Sequence, residues 1–297
     1  MLNINTNYAA SFAANAAKQS SSGLNSAMEK LSSGSRINYS KDDAAGQAIS
    51  VRLTAEVQGV AMASRNAADA QSMIDTADGA LGETHTLLLR MRELAVQSAN
   101  GTLNSDDRDA LDAEYQQLEA EITRIDGNTT FAGTTLFDGS TRNFQVGAKS
   151  GEQVSHTFAS MSATDILANI DHDADGSGVD GDADGNPLET GETADQAADL
   201  KTTTAAQATI TMLDTAIKTV STERGKLGAV SNRLSSTIAN LDQVGVNLSA
   251  SKGRIADADF AVETGNLAKN QILQQAATAM LAQANASKGS ILTLIRN

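Results

Sequence analysis

Residues 270–297 read NQILQQAATAMLAQANASKGSILTLIRN. Within them Leu273, Ala277, Met280, Ala284, Ile291 and Leu294 recur at alternating four- and three-residue steps, with Ser287 as the only polar member. That period is one face of a helix. Chain ends usually fray, so an apolar face kept this close to the end of the sequence predicts something packed against it. The opposite end carries a matching face: Ala10, Ala13, Ala17, Leu24, Met28 and Leu31 fall on one side of a helix. Two such helices with small residues on their faces predict helix-on-helix assembly.

Composition supports this reading. The 297 residues are 40% hydrophobic but only 3% aromatic, with no Trp and one Pro. Long segments are therefore free of helix breakers, and aromatic residues to line a deep pocket are scarce. Cysteine is absent, which excludes disulfides, a thiolate nucleophile and Cys-ligated metal. No run approaches a membrane-spanning length, so no membrane insertion is expected. The first residues, MLNINTNYAASFAANAAKQ, lack a basic region followed by an apolar run and do not read as a signal peptide. The net charge is −14, but eleven acidic and no basic residues lie between Asp165 and Asp199. The remaining 25 acidic and 22 basic residues nearly balance, and with no basic stripe to neutralise phosphates, nucleic acid is not a predicted partner.

Between the ends the helical period dominates. One pattern runs from about Ser40 to Ala99, through Leu53, Val60, Ala67, Ile74, Leu81, Leu88 and Ala95, with Ser40 or Asp42 as its cap. Asn100 and Gly101 stop it. Ser105 is the expected cap of a second helix whose stripe is Leu111, Tyr115, Leu118, Ile122 and Ile125. From 129 to 158 short apolar runs alternate with glycine turns, and Asp138-Gly139 reads as a hairpin turn. A third long helix returns from about Thr203, with a turn near Gly253 and Asp257 or Asp259 capping the last helix. The layout is nearly palindromic, so distant segments can pair as antiparallel helices at modest loop entropy.

Several stretches together make the chain resemble bacterial flagellin: INTN at 4–7, LSSGSRINYSKDDAAGQAIS at 31–50, SRNAADA at 64–70, MRELAVQSAN at 91–100, GRIADADFAVE at 253–263 and NQILQQAATAMLAQAN at 270–285. The resemblance covers roughly 1–150 and 203–297. It implies a mainly α fold: a long antiparallel helical coiled-coil or bundle rod of the flagellin type, with a small β-hairpin region and a short acidic middle insertion. Residues 1–40 with 255–297 resemble the inner coiled-coil domain. Residues 41–160 with 203–254 resemble the rod domain, leaving 161–202 as an acidic, Gly-rich surface loop or knob.

The function implied is structural: a subunit that polymerises with other flagellin subunits into the extracellular flagellar filament, after export through the flagellar type III apparatus. The two terminal faces are then the self-assembly surfaces. Partners implied are an export chaperone, the cap and hook-junction proteins, and the host's flagellin-sensing Toll-like receptor. For the receptor, the matching residues are Arg90, Leu94 and Glu114, with Arg90 and Leu94 four apart on a helix; Leu89 stands where activating relatives commonly have Gln. The plainer reading is an exposed Arg90–Glu114 ion pair of little energetic worth.

Other chemistry is sparse. Asp171, Asp173 and Asp175 before Gly176, with Asp182 at the twelfth place, have the start of a calcium loop. The expected Glu and the flanking helices are missing, so a solvated acidic loop without a cofactor is the preferred reading. The three histidines form no metal-protease pattern and no nucleophile elbow or phosphate loop occurs; no enzyme is expected. A hook–filament junction protein and a secreted coiled-coil adhesin are the competing classes.

Overall fold

The structure is a computed structural model describing residues 6–168 and 200–296, with side chains described through Leu167 in the first stretch and Gly289 in the second. In chain order the elements are α1 (Tyr8–Ser33), α2 (Ala44–Ser98), α3 (Ser105–Asn128), β1 (Thr130–Phe131), β2 (Thr134–Thr135), β3 (Thr141–Gln145), β4 (Gln153–Thr157), α4 (Ala163–Ala168), α5 (Thr203–Ala256) and α6 (Phe260–Arg296). The predominance of long helices follows from uninterrupted periodicity with no internal proline; α2 alone has 55 residues, a length of roughly 80 Å at the helical rise.

The chain divides into two compact units, one of Met1–Gln58 with Val244–Asn297 and one of Gly59–Gln243. The divisions fall inside α2 and α5.

In the first unit α1 starts at Asn7, whose side chain accepts the Ala10 N–H at 3.1 Å, and ends at Gly34, which takes the left-handed conformation (φ 70°) that favours glycine. The next helix is capped by Asp43, whose Oδ1 accepts the Gly46 N–H at 2.8 Å. Asp42, one of the two caps the sequence offered, instead accepts the Asn38 and Tyr39 N–H groups. At the far end α5 continues through Gly253, and Asp259 caps α6 by accepting the Ala261 and Val262 N–H groups.

The second unit holds the main core. Ala67, Ile74, Ala77, Leu81, Leu88 and Met91 of α2 bury against Tyr115 and Ile122 of α3 and Leu213, Val220, Leu227 and Leu234 of α5. The α2 and α5 stripes run antiparallel. Ser64 pairs with Asp242, Gln71 with Ser235, Arg224 with Asp78 at 2.8 Å and Arg92 with Asp214 at 2.6 Å, so steps forward on one helix match steps back on the other. The cap of α3 is Asn104, one residue before Ser105; its side chain accepts the Asp107 N–H at 2.8 Å in a reciprocal capping box.

Two small antiparallel strand pairs, β1–β2 and β3–β4, occupy the region expected to be β. The tight turn is at Ala132-Gly133, both at positive φ, as a two-residue hairpin of this hand requires. Asp138-Gly139 connects β2 to β3 and lies within neither hairpin. The turn between β3 and β4 approaches α2 so closely that a Cβ on Gly59 would stand 2.9 Å from that of Ala148.

The stretch after β4 also departs from expectation. Met161, Ala163, Ile166, Leu167 and Leu200 are core residues, although the sequence placed all five in a surface loop; most of that expected loop, residues 169–199, lies outside the described residues. Leu200 is anchored by its N–H to the buried Asp112 carboxylate at 3.0 Å, and its carbonyl accepts from the buried Ser98 hydroxyl at 2.5 Å. A buried carboxylate needs such donors.

Candidate functional site

The terminal helix pair is where the sequence placed the working surface. The α1 and α6 helices lie antiparallel: Asn7 Nδ2 donates to the Ala284 carbonyl at 3.3 Å, and Lys30 Nζ pairs with Glu263 Oε1 at 3.4 Å. Beyond the helix ends, the Arg36 side chain donates to the Ile255 carbonyl through Nε and Nη2 at 3.1 and 2.7 Å. The Ser35–Asp257 bridge and the Ala258 N–H to Gly34 carbonyl bond complete the clasp.

The fully buried line of the seam between the two helices is made of small residues. On α1 the buried members are Ala13, Ser20 and Ala27, one every seventh residue, the coiled-coil repeat. Ala10, Ala17, Leu24 and Leu31 are half-buried beside them. On α6 Ala277 is buried, and Leu267, Asn270, Gln274, Leu281 and Ala284 are half-buried in 4–3 steps around it. The α1 seam therefore follows the predicted face except at Met28, which is 50% exposed because Ala27 takes the inward place.

On α6 the predicted stripe divides between the paired side and the outside. Ala277 and Ala284 do lie on the paired side, but Leu273 is exposed and Met280 is 65% exposed. The inward positions one residue along are filled by Gln274 and Leu281. The side chains of Ile291 and Leu294 lie outside the described residues. Three large apolar residues that the stripes omitted, Tyr8, Phe12 and Ile272, are also exposed, Phe12 at 78%. The intrachain pair thus buries a narrow line of small residues flanked by half-buried leucines and leaves several large apolar side chains bare, the kind of surface that marks an interaction site. The signal that could have found them was the placement of big apolar residues one step off the alanine stripe.

A second surface is the α2–α3 face in the other unit. Arg90 Nη2 and Glu114 Oε1 are 2.9 Å apart, and Arg90 Nη1 reaches Glu93 at 3.0 Å. All three side chains are substantially exposed, and Glu114 followed by Glu93 raises the guanidinium pKa. Leu94 does not share this surface. It is 1% exposed in the helical core, which corrects the expectation that its four-residue spacing from Arg90 puts both outward. Leu89, in contrast, is exposed.

Among the described residues no group of three or more metal-ligating side chains comes together. Asp171, Asp173, Asp175 and Asp182 lie outside the described residues. No described helix is long and apolar enough to cross a membrane.

Long paired helices with a small β region make this a mainly α protein. A family model for the bacterial flagellin N-terminal helical region matches residues 4–142, and one for the bacterial flagellin C-terminal helical region matches residues 210–295. The chain is 44% identical over 272 residues to a flagellin of Halalkalibacterium halodurans, covering 91% of each chain. It is 41% identical over 309 residues to a flagellin of Bacillus subtilis, covering 99% of this chain and all of that one. A solved structure of a putative flagellar hook-associated protein from Vibrio parahaemolyticus is similar in fold alone, with a TM-score of 0.54 at 16% identity over 73% of this chain and all of that one. The chain belongs to the bacterial flagellin family. It is a structural filament subunit and not an enzyme.

Proposed function

We propose that neighbouring copies of the chain complete the terminal helix pair, and that this contact builds an extracellular flagellar filament for swimming. The observation that supports the reading is the split on the terminal helices: Ala13, Ser20, Ala27 and Ala277 are buried in the intrachain pair while Phe12, Met28, Leu273 and Met280 remain exposed. Apolar area left in water by one molecule is a driving force for the next. A surface patch that binds a different patch on its neighbour produces an open helical polymer when rotation does not close. Ala13, Ala17, Leu24, Leu31, Ala277 and Ala284 then set the pair, and the off-seam residues provide the adhesion. Replacing Phe12 and Met280 together by Asp is expected to keep the helical circular dichroism of the monomer and abolish fibres seen by electron microscopy. Normal fibres from that variant would refute the reading.

The remaining partners follow from the family: passage through the type III apparatus with an export chaperone, contact with the cap and hook-junction proteins, and recognition by the host Toll-like receptor. For the receptor, the exposed Arg90–Glu114 pair beside Leu89 is the surface offered, with Leu94 supporting it from beneath. Arg90→Ala is expected to lower a receptor reporter response to purified monomer with little change in melting temperature, since exposed pairs add little stability. An unchanged response would remove Arg90 from the contact. The acidic stretch is read as a solvated loop with no cofactor; calorimetric heat on calcium addition, lost when Asp171 and Asp173 become Asn, would reverse that.

A further inference from the structure

Asn100-Gly101 is the single Asn-Gly step in the sequence, and it occupies the exposed turn between α2 and α3. We infer that Asn100 is a site of spontaneous deamidation, through attack of the Gly101 backbone nitrogen on the Asn100 side-chain amide carbon.

Three observations place the reacting groups. The Gly101 N–H makes no hydrogen bond among the described residues, so the nucleophile is free. A Cβ at Gly101 would meet nothing within 4 Å, so neither its own side chain nor a neighbour shields the approach. The Asn100 Oδ1 accepts the Thr102 N–H at 3.3 Å, a donor aimed where negative charge develops as the amide carbon is attacked. Asn104, four residues on, is the internal contrast: its Oδ1 holds the Asp107 N–H within a capping box, and Ser105 follows it.

The step balances with water alone. A bond forms between Gly101 N and Asn100 Cγ, the Cγ–Nδ2 bond breaks, and the amide nitrogen leaves as ammonia carrying the proton displaced from Gly101. Water then opens the cyclic imide at either carbonyl, giving an aspartate or an isoaspartate at position 100. Both products put a carboxylate beside the negative end of α2. The isoaspartate also lengthens the backbone where Arg108 clasps the carbonyls of Ser98, Asn100 and Leu103, each at 3.0 Å.

The test is peptide mapping of the folded full chain during storage in mildly alkaline buffer, with enzymatic methyl labelling to count isoaspartate and Asn100→Asp as the chromatographic standard. Amide loss is expected at Asn100 before any other asparagine, and Gly101→Ala is expected to slow it by about tenfold, because only glycine lets the backbone approach this closely. An Asn100 that keeps its amide while other asparagines lose theirs, or an equal rate in Gly101→Ala, overturns the inference.

Discussion

His156 shows how one side chain carries a condition-dependent share of stability. It lies on β4 opposite Arg142 of β3, edge-on to Phe158 with ring centroids 4.8 Å apart. Burial pulls its pKa below 6.5; Glu223 on α5 opposes this and Lys226 adds to it. The folded protein therefore binds this proton less readily than the unfolded chain. Its contribution is complete above the unfolded value and is lost as pH falls through 6.5 toward the folded value. The carboxylates of Asp138 and Asp165, held below 3.8 by hydroxyl donors from Ser140 and from Ser160 and Ser162, lose their contribution only in stronger acid. Melting temperature is thus expected to fall between about pH 7 and pH 5, and His156→Gln to flatten that slope; a slope unchanged in the variant would assign it elsewhere. The placement of Leu94 is a lesson at the same scale. Four residues turn a helix by one revolution plus about 40°, enough on a half-buried helix to take Leu94 inside while Arg90 stays out.

At the scale of elements, helix stripes were legible because a period of 3.6 over fifty residues leaves little choice of buried face. Shorter features were not. Asn104 and Ser105 are both good caps, and only the reciprocal bond with Asp107 decides between them. Asp138-Gly139 has the composition of a hairpin turn, yet Ala132-Gly133 makes the tight one, which depends on β1 pairing with β2 in the register Thr130–Thr135. The α6 stripe was legible as one helical face but not as inward or outward: Leu273 and Met280 lie exposed beside the buried Ala277, because the seam with α1 passes one position along, at Gln274 and Leu281. Ala27, 2% exposed between α1 and α6, tests how closely that seam is packed. Ala27→Leu is expected to force the pair apart at a cost of about 1–3 kcal/mol, read as a lower melting temperature of the α1–α6 unit; an unchanged value would mean the seam is loose.

For the whole molecule, family membership was legible in motifs spread over both ends, whereas the limits of the acidic insertion were not. Met161, Ile166, Leu167 and Leu200 look like isolated apolar residues in an acidic neighbourhood, and only their place in the shared core, anchored to Asp126 and Asp112 of α3, identifies them. The assembly reading belongs to this scale too, because it concerns what one molecule leaves undone. In the proposed reading, the large side chains that α1 and α6 leave exposed, Phe12 and Met280 among them, serve other copies. Electron microscopy of protein lacking residues 1–40 and 255–297, at a concentration where the full chain forms long hollow tubes, tests that most directly. The account predicts dispersed particles and no tubes; tubes of normal diameter and length from the trimmed protein would contradict it.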